Sequence, residues 1–376
     1  MKRRLYTPGP TPVPEEIMLK MAEPISHHRL PSFEIMFSEA NQNLQYLFNT
    51  KQPVITLTSS GTGAMEAAVA NILSHGDKVI AVRGGKFGER WAEICQAYGI
   101  EVIPIDIEWG DSVSPESIEK ILKKEKNVKA VFVTQSETST GALTEIKTIA
   151  EMIKPYDTLL VVDSITGIGV HEMKPDDWGI DVVVTGSQKG LMLPPGLAFI
   201  CLSTRAWAAM EKSTLPKYYF NLKKAFKAMD KNQTPWTPAL TLIIGLNEAL
   251  KMIRNEGLEQ LYARHQRLAD ATRAAVKALG LALLAKHPSN VLTAIRMPDS
   301  INTGALVKYL RDELGILVAG GQDHLKGKII RIAHIGYVDD FDVIVVISAL
   351  ERGLKKMGYS FKTGSGVEAA QKILCQ

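Results

Sequence analysis

The chain has 376 residues, of which 45% are apolar and 22% charged, and a formal net charge of +4. This length suggests two domains and a core large enough to need no disulfide or metal staple. The Lys and Arg residues are spread along the chain, so no nucleic-acid-binding tail is expected. The three cysteines, Cys95, Cys201 and Cys375, form no C-x-x-C pair, which argues against zinc and iron–sulfur sites and fits a reducing compartment.

The opening stretch, MKRRLYTPGPTPVP, is basic but has no apolar run behind it, so no secretory leader is expected. No apolar run approaches the ~20 residues of a spanning helix. The expectation is a cytoplasmic protein with no membrane and no nucleic-acid partner. Residues 1–15, rich in Pro and Gly, read as an ordered N-terminal arm.

From Pro53 to Ser203 strand and helix signals alternate. PVITLTS, DKVIAV, IEVIPI, VKAVFVT, TLLVVDS, DVVVTG and LAFICLS read as strands. TGAMEAAVANIL, GERWAEICQAYG, PESIEKILKK and EIKTIAEMIKPY read as helices. Several strands are continuous β-branched runs, as expected of strands covered on both faces. The alternation predicts an α/β fold with a mostly parallel seven-stranded sheet between helices. One long helical stretch is predicted from Pro238 to Gly280. Beyond it NVLTAIRM, ILVAG and KIIRIAHI read as strands, and TGALVKYLRDEL and DDFDVIVVISALERGLKKM as helices. These predict a smaller C-terminal α+β domain. The expected division is a large domain over 16–255 and a small one over 256–376, with a frayed tail or short helix from Ser360.

Three features fall at carboxyl ends of predicted strands, where open α/β sheets form their ligand crevice. In TSSGTGAMEAAV a strand runs through Ser60, Gly61 and Thr62 into a helix. A helix start offers free N–H groups and a positive dipole end to an anion, and glycine allows close approach. The same residues also suit a plain helix cap, and neither a P-loop nor a full dinucleotide fingerprint is present. In TLLVVDSITGIG, Asp163 ends a buried run, where a carboxylate needs a cation or a strong donor; capping the next turn is the alternative. In GSQKG, Lys189 occupies a tight loop between apolar runs. Desolvation makes such an amine nucleophilic toward carbonyls, whereas an ordinary loop lysine points into solvent. Pyridoxal phosphate needs all three: an anion cradle for its phosphate, a carboxylate for its ring nitrogen and an amine for its aldehyde.

With GSQK and PPG around Lys189, and SGTG at the helix start, the chain resembles the class V aminotransferases of pyridoxal-phosphate fold type I. Within them it is most similar to the alanine–glyoxylate and serine–pyruvate branch, from TPGPTPVP to the last long helix. The resemblance implies pyridoxal 5'-phosphate, a Schiff base on Lys189, and Asp163 paired with the pyridinium nitrogen. It implies a phosphate cradle of Ser60, Gly61 and Thr62 with Gln188 beside them. Phe87, in GGKFGERW, falls where an aromatic ring stacks on the cofactor, a place some relatives give to Trp. Thr138, in QSETSTG, falls where a hydroxyl bonds the cofactor ring. Thr234 and Thr237, in NQTPWTPAL, match positions that reach the phosphate of the neighbouring subunit, so a homodimer with shared active sites is implied.

Arg331, in IIRIAHIG, matches the arginine that clamps the substrate carboxylate. A planar guanidinium on an apolar strand also calls for such a partner on physical grounds, a structural ion pair being the alternative. His334 reads as a satisfied half-buried histidine. Arg29 either reaches a second substrate carboxylate or, preferably, anchors the N-terminal arm. The implied activity is ping-pong transamination between alanine or serine and glyoxylate or pyruvate. The rivals on this fold are an aspartate-type aminotransferase and a cysteine desulfurase, which needs a cysteine on a mobile loop. The non-enzymatic rival is a partner subunit of a soluble hydrogenase.

Overall fold

The computed structural model describes residues 2–376. A seven-stranded sheet lies at its centre, in the order Val54–Thr58, Leu197–Leu202, Val182–Gly186, Leu159–Asp163, Val128–Thr134, Lys78–Arg83, Glu101–Asp106. Leu197–Leu202 runs antiparallel to both its neighbours; the remaining pairings are parallel. Its alternating side chains feed two apolar layers. Val131 and Val133 face one, with Phe37, Leu44 and Leu246 from helices Pro31–Phe48 and Leu240–Glu256. Ala130 and Phe132 face the other, with Ala64, Ala68 and Trp91 from helices Gly61–Ile72 and Lys86–Ala97. Burial on both faces is why the strand sequences are runs of Val, Ile and Leu rather than alternations.

A second, four-stranded sheet, in the order Ala282–Leu283, Leu292–Arg296, Ile329–Ala333, Ala319–Gly320, is antiparallel throughout. Helices Leu258–Ala278, Thr303–Leu314 and Asp340–Lys356 share a separate apolar cluster with it. No helix among the described residues is long and apolar enough to cross a membrane.

Several local expectations are corrected. The stretch from Pro238 to Gly280 is two helices, Leu240–Glu256 and Leu258–Ala278, broken at Gly257 with φ +84°. With ψ 145° the backbone there leaves the helical course, and glycine takes a positive φ without steric cost. ILVAG is two short strands rather than one, because Ile316–Leu317 pairs with Arg4–Leu5 while Ala319–Gly320 pairs with Ile330 and Arg331. Of the two readings of the tail, the short helix holds: it spans Ser365–Leu374, and the buried Glu351 accepts the N–H groups of Gly364 (2.7 Å), Gly366 (2.8 Å) and Val367 (3.2 Å) at its start. Helix Pro31–Phe48 was not anticipated. Its buried Phe33, Phe37, Ala40, Leu44 and Leu47 repeat at helical spacing, a signal hidden behind the proline-rich opening.

Gly88 sets how closely helix Lys86–Ala97 lies on its strand: a Cβ there would come 2.4 Å from the Val82 carbonyl oxygen. Gly88→Ala is expected to cost about 1–3 kcal/mol, read as a lower urea midpoint at unchanged slope. An unchanged midpoint would show that the helix shifts freely.

Candidate active site

The carboxyl ends of the central strands converge on one cleft, lined by Ser60, Gly61, Thr62, Phe87, Arg90, Ser136, Thr138, Asp163, Ile165, Thr166, Gln188 and Lys189. The structure thus gathers most of the residues predicted from sequence. Asp163 ends its strand in register with Thr134 on one side and Val184 on the other. Lys189 lies three residues beyond the end of the neighbouring strand, Val182–Gly186. The turn carrying it is held by the Ser187 hydroxyl, which donates to the Pro194 carbonyl at 2.8 Å and accepts the Leu197 N–H.

Helix Gly61–Ile72 starts at the cleft with Ser60 as N-cap, yet the Ser60 side chain makes no capping hydrogen bond. The helix start therefore keeps donors for a ligand. Both glycines of SGTG are closely packed: a Cβ at Gly61 would meet Ile165 Cδ1 at 2.6 Å, and one at Gly63 would meet Ser59 Oγ at 2.6 Å, so either side chain would have to move.

The electrostatics follow from burial. Asp163 is 3% exposed and accepts the Ile165 N–H at 2.8 Å. Desolvation pushes its carboxyl up to about 7; the Ile165 bond and the nearby Arg90 and Lys189 oppose that rise, and the Glu137 charge adds to it. The Lys189 amine is pushed down to about 8 by desolvation, against the pull of Asp163 and with help from Arg331 and Arg90. A buried carboxylate with no ion pair among the described residues and a desolvated amine thus share one water-poor cleft. The Gln188 Oε1 atom is buried there without a protein partner. These features fit pyridoxal phosphate. Asp163 would receive the ring nitrogen, Lys189 the aldehyde, and the helix start with Gln188 the phosphate.

Arg331 lies immediately behind the lining. It is buried; its Nη1 donates to the Thr138 carbonyl at 2.6 Å and its Nε to the Gly320 carbonyl at 2.9 Å. It has no salt bridge to a carboxylate among the described residues, and burial pulls its guanidinium down to about 10. Thr234 and Thr237 are not brought into the cleft of their own chain. They line a separate hollow with Thr58, Tyr219 and Trp236, and the Thr234 hydroxyl donates to the Trp236 carbonyl at 2.6 Å. Arg29 bonds the Gln233 side chain and, at 3.3 Å, the Thr234 carbonyl, so it ties the N-terminal segment to that loop. His334 is buried with Nε2 3.0 Å from the Thr293 hydroxyl, and desolvation pushes it down to about 3.

Sequence reasoning missed several residues at the site. Glu137 is buried and accepts four donors: the N–H groups of Phe87 (3.0 Å), Gly88 (3.1 Å) and Ser139 (3.1 Å), and the Ser139 hydroxyl (2.5 Å). It holds the first turn of the helix that presents Phe87. Burial still raises its carboxyl, against those donors. Arg90 lies one helical turn after Phe87, with its guanidinium carbon 4.8 Å from the Phe87 ring centre and Nη1 3.3 Å from the Thr62 hydroxyl. Its spacing of three from the aromatic residue was the available signal. Glu137, set between Ser and Thr in QSETSTG, gave none.

A family model described as Aminotransferase class-V matches residues 5–334. The soluble hydrogenase small subunit of Synechococcus sp. (strain PCC 6716) is 43% identical, over 99% of this chain and 98% of its own length. The L-aspartate–glyoxylate aminotransferase of Paracoccus denitrificans (strain Pd 1222) is 37% identical, over 98% of this chain and 95% of its own length. Among solved structures, the ureidoglycine–glyoxylate aminotransferase of Bacillus subtilis superposes with a TM-score of 0.96 at 30% identity, covering 100% of this chain and 99% of that one.

A carboxyl raised on folding binds its proton more tightly in the folded chain. Its stabilising share is complete at low pH and is lost as pH rises toward the folded value. Without cofactor, Asp163 should therefore lower stability between about pH 4 and 7, by on the order of 2–4 kcal/mol. Asp163→Asn should remove that part of the slope, leaving the variant more stable than wild type in urea at pH 8 and level with it at pH 4. Parallel curves for the two proteins would contradict the burial argument.

Proposed function

The chain belongs to the class V aminotransferases, enzymes that use pyridoxal phosphate, and on that premise we propose that it moves the amino group of L-alanine or L-serine to glyoxylate or pyruvate by a ping-pong exchange. The observation that carries this reading is one cleft holding a desolvated amine, a buried carboxylate without an ion pair, and an uncapped helix start. Bound there, pyridoxal phosphate supplies an aldehyde that exchanges amine partners and a ring that accepts electrons.

The chain's own residues then have distinct tasks. Lys189 Nζ holds the cofactor and, once displaced by the substrate amine, takes the proton from the substrate Cα. An amine near pKa 8 is partly neutral at working pH, as a base requires. Asp163 keeps the proton on the ring nitrogen. Ser60, Gly61, Thr62 and Gln188 would hold the phosphate, with Phe87 and Thr138 available to the ring from the same cleft. Arg331 has no carboxylate partner among the described residues, and its guanidinium takes the substrate carboxylate through paired hydrogen bonds.

A dicarboxylic donor would need a second free cation. Arg90 is laid over Phe87 and bonded to Thr62, and Arg29 is tied to Gln233 and Thr234, which favours a donor with one carboxylate. Glyoxylate occurs in the names of both the Paracoccus and the Bacillus proteins, which supports it as acceptor. Aspartate, from the Paracoccus name, is the second reading. A desulfurase role has little support. Cys95 and Cys201 are buried, burial pushes both thiols up to about 12, and no cysteine lines the cleft. The hydrogenase name is not carried to this chain, whose cleft holds the residues of amine transfer.

Thr234 and Thr237, set outside their own cleft, are assigned to that of a second copy. Exposed Leu19, Ile35 and Tyr218, more than two-thirds accessible, supply apolar surface for a homodimer. The free cysteines suit a reducing compartment, which supports the cytoplasm as the proposed location.

Protein loaded with pyridoxal phosphate should show a visible band. L-alanine or L-serine should bleach it and glyoxylate or pyruvate should restore it; bleaching by L-aspartate alone would select the second reading. Lys189→Ala should lower turnover by roughly 10²–10⁴-fold or more in a folded dimer. Arg331→Lys should keep the band and raise the KM of the donor by about 10–100-fold. A Lys189→Ala protein with normal turnover would overturn the assignment.

A further inference from the structure

The N-terminal segment crosses directly over the Lys189 amine. Arg4–Leu5 pairs in parallel with Ile316–Leu317, and the Tyr6 carbonyl accepts the N–H of Ala333 at 2.8 Å, on the strand that carries Arg331. Five residues later the segment is pinned to the lysine's own loop. The Thr11 N–H donates to the Gln188 carbonyl at 3.2 Å, and the Thr11 hydroxyl to the Lys189 carbonyl at 2.9 Å. Between these anchors lies Pro8-Gly9-Pro10. Lys189 Nζ donates to the Pro8 carbonyl at 2.9 Å. The contact tolerates only glycine next in line: a Cβ at Gly9, where φ is +154°, would lie 2.1 Å from Nζ and 2.5 Å from Cε. The prolines on either side lack N–H groups, so the strap meets the amine chiefly as an acceptor.

We propose that this strap is a positioning element of the active site, in which the Pro8 carbonyl holds the Lys189 amine whenever the amine is not bonded to the cofactor. The inference rests on Lys189 being the cofactor-bearing lysine. A lysine released from a covalent link has free torsions and can swing away from the atom whose proton it must take. One N–H fixed on a rigid carbonyl removes much of that freedom and leaves the rest of the nitrogen facing the cleft. The acceptor also favours the ammonium over the neutral amine. It is uncharged, and adds to a field set by Asp163, Arg331 and Arg90, the charged groups around the amine. Because the strap is bonded at one end to the Arg331 strand and at the other to the Lys189 loop, it fixes the distance between the substrate's carboxylate grip and its proton acceptor. Pro8 and Gly9 act through Lys189 Nζ, which moves the proton; they carry no proton themselves.

The test uses full-length wild type, Gly9→Ala and Thr11→Val. In cofactor-free protein, cyanate carbamylates only neutral amines, so the pH dependence of Lys189 modification, read by peptide mass spectrometry, gives its titration midpoint. A weaker bond to the Pro8 carbonyl, because a Cβ displaces Nζ in Gly9→Ala and because the strap is loosened in Thr11→Val, should lower that midpoint by up to about one pH unit. In loaded enzyme kcat should fall about tenfold, a larger effect than that on the KM of the donor, since the carboxylate grip is untouched. Should Gly9→Ala fail to fold, Thr11→Val, which removes only a hydroxyl anchor, carries the test. Unchanged midpoints in variants with native circular dichroism, when the wild type binds pyridoxal phosphate, would overturn the strap's role alone. A wild type that binds no pyridoxal phosphate would remove the premise as well.

Discussion

The site depends on one constraint: opposite charges held out of water at the ends of neighbouring strands. Asp163 and Lys189 leave the sheet side by side into a cleft that desolvates both, so each is drawn toward its neutral form, the carboxyl up and the amine down. Burying an ionised group without full compensation is costly. The fold tolerates the cost because strands covered on both faces make the rest of the sheet strongly stable. The same desolvation makes the amine reactive and leaves the carboxylate in need of a positive partner.

Other features extend this arrangement. An uncapped helix start adds positive potential where a phosphate fits, and Arg90 reinforces it from the next helix. Glu137, bonded by three backbone N–H groups and the Ser139 hydroxyl, fixes that helix and so fixes Phe87. Arg331 comes from the smaller sheet and reaches the cleft's rear through the Thr138 carbonyl. The site is therefore assembled from both sheets, and the N-terminal segment bonds the smaller sheet beside Arg331 and the loop that carries Lys189.

The large sheet was legible because its strands are apolar runs separated by amphipathic helices, and that periodicity is local. Lys189, Asp163 and the SGTG turn were legible for a related reason: each lies at a strand's end, so sheet topology alone places them together. Less was visible where long-range pairing decides. ILVAG splits because the N-terminus, more than 300 residues away in sequence, pairs with half of it. Gly257 carried the signal for a helix break, but the apolar periodicity on either side concealed it. Glu137 and the Pro8 carbonyl could not be read from sequence, the first because a buried acid looks like a solvated one, the second because a backbone atom has no residue type. Thr234 and Thr237 lie outside their own cleft, so a single chain does not bring them to the site.

The most direct measurement is borohydride reduction of the pyridoxal-phosphate-loaded protein, followed by peptide mapping. The account predicts the added cofactor mass on the peptide containing Lys189, and its loss when a donor amino acid is supplied before reduction. Stable cofactor mass on any other lysine, or on none, would contradict it.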